Sequence, residues 1–162
     1  MERTITGFHQ DEHHDWVAEL DCYHNQHARH KPPFFNRPWT QTETGRAAML
    51  GTQLDRLRCD KLEFPEGLQE YKRTPLFTET TIPPGLLRDH TTKAGVWGLI
   101  QVEEGTLLYS VSYPEERSYM LSEASPGVVV PSMKHHVQAQ GKVRFYVAFY
   151  RRIAATDEDR GP

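Results

Sequence analysis

Val143-Arg144-Phe145-Tyr146-Val147-Ala148-Phe149 is the stretch on which the fold turns. Val143, Phe145, Val147 and Phe149 stand at every second position, so an extended chain would carry one apolar face there. A helix would scatter the same residues around its axis. Further short runs rich in β-branched and aromatic residues precede it: Arg73 to Thr81, Gly85 to His90, Val96 to Val102, Thr106 to Tyr113, Ser118 to Leu121 and Val128 to Val130. The last run, Val143 to Arg151, is the seventh. Gly, Pro or charged turns separate them, and Glu103-Glu104-Gly105 and Ser125-Pro126-Gly127 read as hairpin turns. Seven short strands so closely spaced predict an antiparallel sandwich or barrel.

The first third of the chain reads differently. Thr4 to His9 and Trp16 to Cys22 read as a hairpin, with Gln10 to Asp15 as its turn. Tyr23 to His30 is polar and reads as a loop. Three prolines between Lys31 and Trp39 exclude a helix there, and the aromatics among them read as a small satellite core. Thr40-Gln41-Thr42-Glu43 matches a capping box with Thr40 as N-cap, and Ala47, Leu50, Leu54 and Leu57 follow at helical spacing. These predict one helix, about Gln41 to Arg58, packing its apolar stripe on the hairpin. Residues 60–69 read as a connector. The expected organisation is therefore a small α+β module over 1–66, a β unit over 67–155 and a polar tail over 156–162.

Composition narrows the function classes. The chain has 162 residues and a net charge of -3, so no basic field favours nucleic acid. No run approaches the roughly 20 apolar residues of a membrane span. Met1 to Gln10 lacks the apolar core of an export signal, which points to the cytoplasm and to reduced thiols. Histidine is the skewed residue, since six of the nine lie in the first 30 positions.

Two histidine-bearing sets are candidate metal sites. His90 and His136 lie on separate β-segments, and neutral imidazoles from two strands can meet inside a barrel and hold a divalent metal. His135 should then face the other way, towards solvent. Glu79 or Glu123 is a candidate carboxylate to join the pair. The second set is Cys22 and His24, at i and i+2, with His27 or His30 and, distantly, Cys59. Two thiolates and imidazoles make a tetrahedral zinc site. A Cys22–Cys59 disulfide and a nucleophilic Cys22 are the minor alternatives.

Residues from about 71 to 152 resemble a small cupin-like family (DUF1971-like). That family occurs at the N-termini of tellurite-resistance methyltransferases and as free-standing stress-induced bacterial proteins. The resemblance rests on Lys72-Arg73-Thr74-Pro75, Asp89-His90, Lys93-Ala94-Gly95-Val96-Trp97-Gly98, Glu104-Gly105, Pro126-Gly127, Pro131 with His136, and Phe145-Tyr146-Val147-Ala148-Phe149-Tyr150. Pro131-Ser132-Met133-Lys134-His135-His136 keeps the P-x-x-x-x-H skeleton of the second cupin motif, with Met133 at the usual glycine. The H-x-H pair of the wider superfamily is missing, and Gly98 stands at its glutamate. The resemblance implies a β-barrel with a divalent metal, zinc foremost, held by His90 and His136.

A second resemblance covers about 5 to 60, to a small Cys/His-containing bacterial domain of unknown function (DUF3565-like). It rests on Gly7-Phe8-His9-Gln10-Asp11, Trp16-Val17-Ala18-Glu19-Leu20, the spacing of Cys22, His24, Gln26, His27, Arg29 and His30, Pro32-Pro33-Phe34, and Asn36-Arg37-Pro38-Trp39. In that family a C-x-x-C follows the helix; here Arg56 replaces the first cysteine and Cys59 remains.

The expectation is a mainly β, cytoplasmic metal-binding protein of bacterial stress defence, against tellurite or nitrogen oxides. It would bind a small molecule or anion rather than turn over a substrate. One alternative is a metal-dependent cupin oxygenase or isomerase built on His90 and His136. The other is a non-catalytic interaction module whose short edge strands pair in a homodimer.

Overall fold

The computed structural model describes residues 1–113 and 115–153, and the expected tail over 156–162 lies outside them. The chain divides into two units, Met1–Arg58 and Cys59–Pro162.

In the first unit, β1 (Glu2–Gln10) and β2 (Trp16–Leu20) form the expected antiparallel hairpin. Two strands not foreseen extend it. β3 (Asn25–His27) pairs with β2, and β4 (Gln53–Asp55) pairs with β1, giving the order β3-β2-β1-β4. Ile5, Val17, Ala18 and Leu20 form its buried centre.

The long helix is a correction. A 3-10 turn, Pro38–Gln41, leads into α1, which spans only Glu43–Met49 and buries none of its residues. Its N-cap is Thr42, not Thr40; the Thr42 hydroxyl accepts from the Gly45 amide at 3.0 Å. Gly51, at φ +82°, ends it, as a left-handed residue commonly ends a helix. Leu54 then enters β4 opposite Arg3, while Leu50 and Leu57 stay largely exposed. A final single turn, α2 (Leu57–Asp60), buries Cys59. The boundary between the units falls within this turn, so Cys59 is fixed by the same helical geometry as Leu57 and Arg58.

The second unit is an antiparallel sheet of six strands: β5 (Gln69–Arg73), β6 (Phe77–Thr78), β7 (Trp97–Val111), β8 (Arg117–Leu121), β9 (Gly127–Val129) and β10 (His135–Arg151). The molecule is thus mainly β, with a small α+β module first. The main order is β5-β10-β7-β8, with β6 added on β10 and β9 on β7. Val143, Phe145 and Val147 are buried, as their alternation predicts; Ile100, Leu107 and Tyr109 of β7 are buried beside them, and Trp97, paired with Tyr150, is buried against Phe64. Glu103-Glu104-Gly105 is not a turn. β7 runs through it, because Gly105 at φ +79° takes up a bulge opposite Lys142 and Val143. Gly85 to His90 is not a strand; it meets β10 through a bridge between His90 and His135 and a hydrogen bond from the Val137 amide to the Leu86 carbonyl. No helix among the described residues is long and apolar enough to cross a membrane.

Candidate metal centre and ligand cavity

Cys22 and His24 sit in the tight turn between β2 and β3, not on a strand. The Tyr23 amide donates to the Leu20 carbonyl at 2.8 Å, and Tyr23 adopts φ +66°. That left-handed residue folds the chain so that its two neighbours turn towards one point. Cys22 Sγ and His24 Nδ1 lie 3.5 Å apart. Cys59 of α2 completes the group: the ligand atoms of Cys22, His24 and Cys59 all lie within 4.8 Å of one another. All three residues are buried, and no disulfide joins the two cysteines.

His27 does not join them. It is half exposed, and its Nε2 donates to Asp11 at 3.0 Å. His30 Nδ1 instead accepts from the Arg37 amide. Arg56, at the position of the missing cysteine, turns its guanidinium to the Gln26 amide oxygen at 2.5 Å.

In the second unit the structure does not bring His90 and His136 together. His90 pairs across the sheet with His135, through backbone hydrogen bonds of 2.9 and 3.0 Å. Directly paired residues share a face and consecutive ones do not. The rings of His90 and His135 accordingly lie 4.1 Å apart, centroid to centroid. His136 turns the other way and donates from Nδ1 to Asp89 at 2.7 Å. That hydrogen bond holds the Asp89 carboxyl below its ordinary range. His135, expected to face solvent, is 3 % exposed. Burial pushes its pKa down to about 4, so the ring is neutral. Glu79, the candidate carboxylate, accepts from the Val143 amide at 3.1 Å.

His90 and His135 line a cavity of about 410 Å³. Its inner wall is apolar, with Ile100, Val129, Val137 and Phe145 among its buried members. Lys72 and Lys93 line it from exposed positions. The volume suits a compact small molecule.

Comparison with known proteins gives a result for each unit. Residues 6–63 match the family described as a protein of unknown function, DUF3565. Residues 72–147 match the TehB-like domain. Among solved structures, TehB from Haemophilus influenzae is similar at 25% identity over 54% of this chain, with a TM-score of 0.50. The match covers 32% of TehB, so this chain spans only about a third of that protein's length. A protein from Escherichia coli K12 is similar in fold, at 20% identity over 57% of this chain and 98% of that one, with a TM-score of 0.52. No curated protein matches. Residues 6–63 are thus similar to the DUF3565 family and residues 72–147 to the TehB-like domain.

Proposed function

We propose that this is a metal-binding protein of bacterial stress defence, of the tellurite-resistance kind, working in the cytoplasm. Its first module holds a zinc ion through Cys22, His24 and Cys59, and its second receives a small ligand in the cavity beside His90 and His135. The observation that carries the reading is the convergence of two thiols and an imidazole within 4.8 Å in a buried site. This is a zinc donor set. Bonds of roughly 2.0–2.3 Å to N and S imply ligand atoms about 3.3–3.8 Å apart. The Cys22–His24 separation of 3.5 Å falls within that span.

The ion's chemistry here is a cross-link: it ties the β2–β3 turn to α2. The module has a small core, and a structural zinc supplies on the order of 10 kcal/mol in peptide systems. That is comparable with the whole stability of a domain, about 5–15 kcal/mol. The TehB-like match and the cavity support the second half of the reading. The oxygenase or isomerase alternative needs His90 and His136 on one ion, whereas the His90 ring lies against His135 and His136 is bonded to Asp89. Metal analysis of the purified chain tests the proposal. One zinc per chain is expected, lost in Cys22→Ser and in Cys59→Ser and kept in His136→Ala and His27→Ala. Zinc retained in both serine variants would refute it.

A further inference from the structure

The hydrogen bonds of His90 and His135 determine what their cavity can receive. His90 Nδ1 lies 2.9 Å from the Arg88 carbonyl, and His135 Nδ1 lies 2.9 Å from the Met133 carbonyl. A carbonyl only accepts, so in each neutral ring the proton sits on Nδ1. Each Nε2 is then a bare acceptor, and neither has a hydrogen-bond partner among the described residues. His135 is more than nine-tenths buried, and both rings line the cavity. A lone acceptor on a largely apolar wall keeps a hydrogen bond, and the occupant buries apolar surface, only when that occupant donates to it.

Two hydroxyls of the wall are engaged. The Thr74 hydroxyl accepts from the Val147 amide at 3.0 Å, and the Thr92 hydroxyl donates to the Val96 carbonyl at 2.8 Å. No Asp, Glu or Cys lines the cavity, so two imidazoles would leave a first-row cation short of protein donors. An anion would meet two lone pairs at the inner end, while Lys72 and Lys93 stay exposed.

We propose that the cavity takes an uncharged, compact, largely apolar molecule whose O–H or N–H group donates to Nε2 of His135 or His90. This rests on the reading of the cavity as a ligand site, and it replaces the small anion with a neutral hydrogen-bond donor.

Three probes of similar shape separate the cases: phenol, toluene and benzoate. They are titrated into the full-length ¹⁵N-labelled protein, with histidine nitrogens followed by long-range ¹H–¹⁵N correlation. The free protein should show His90 and His135 protonated on Nδ1. Phenol should move an Nε2 resonance of this pair and bind about tenfold more tightly than toluene, the net worth of about one hydrogen bond. Benzoate should bind more weakly than phenol. In His135→Leu, phenol should fall towards toluene while toluene still binds. If that variant does not fold, the wild-type tautomers and the order of the three probes decide the matter. Benzoate or toluene binding best would overturn the neutral-donor proposal and leave the cavity a ligand site. No binding by any probe would overturn both, and a zinc titration that shifts both Nε2 resonances would make the pair a metal site instead.

Discussion

A one-residue difference in register decides which histidine faces the cavity. The spacing Pro131 to His136 directs attention to His136, but the bridge His90–His135 sets the faces, and a slip of one residue inverts them. Sequence spacing carries no trace of that bridge, because Gly85 to His90 makes no regular strand. Cys22, His24 and Cys59 were legible because their residue types are rare and chemically distinctive. His27 is of the same type, yet its neighbour Asp11 claims it. The burial of His135 has a pH consequence. The unfolded chain takes up this proton near 6.5, the folded chain only near 4. Between those values the unfolded state binds more protons, so stability is complete above about 6.5 and falls as pH drops towards 4. The loss should reach about 3 kcal/mol. Denaturant melts of wild type and His135→Leu across that window should differ in slope; equal slopes would contradict the neutral buried ring. Gly105 offers a second test. A Cβ there would meet the Lys142 carbonyl oxygen, whereas at Gly141, also near φ +80°, it would meet nothing within 4 Å. Gly141→Ala should cost about 1 kcal/mol, the left-handed penalty alone. Gly105→Ala should cost at least about 3 kcal/mol, and similar melting of the two variants would argue against the bulge.

Among the elements, the strands read well and the helix did not. Period-2 alternation in 143–149 marks a strand because the same faces are buried in the folded sheet. The spacing of Ala47, Leu50, Leu54 and Leu57 is equally regular, but among the described residues Ala47, Leu50 and Leu57 stay exposed. Gly51 interrupts the helix, and Leu54 is drawn into β4 by pairing with Arg3, a partner 51 positions away. Local periodicity cannot report so distant a competitor. What holds α1 is polar. The Arg46 guanidinium stacks 3.6 Å above the Trp16 ring and donates to the Thr40 carbonyl at 2.7 Å. Thermal melts should therefore rank the variants against the naive apolar pattern. Leu50→Ala should stay within about 0.5 kcal/mol of wild type. Arg46→Ala should lose about 1–2 kcal/mol, and Leu20→Ala, in the buried hairpin, about 2–5 kcal/mol. A larger loss at Leu50 than at Arg46 would mean that the stripe is covered after all.

At the scale of the molecule, the two units draw stability from different sources. The second has a continuous apolar core along β7 and β10; the first has a few buried residues, and its Cys22 and His24 are grouped with Cys59 of the boundary turn. Chelation should accordingly lower the melting of the first unit and leave the second unchanged, read by calorimetry with and without a strong zinc chelator. A single transition unmoved by chelator would count against the zinc cross-link. The mixed character of the first unit and the β character of the second were both legible, because composition and periodicity change near residue 67. The strand order was not, since it depends on pairings between distant segments.

That strand order bears on how the chain leaves the ribosome. β10, which follows the other five strands of its sheet in the chain, lies between β5 and β7, and β6 pairs with it. Until residues 135–151 emerge, β5 and β6 have no ladder to join and one side of β7 stays open. Nascent chains halted before that point expose strand edges that favour aggregation. Fragments ending before residue 135 should therefore be found in the pellet, or held by chaperones, in a larger share than the 162-residue chain.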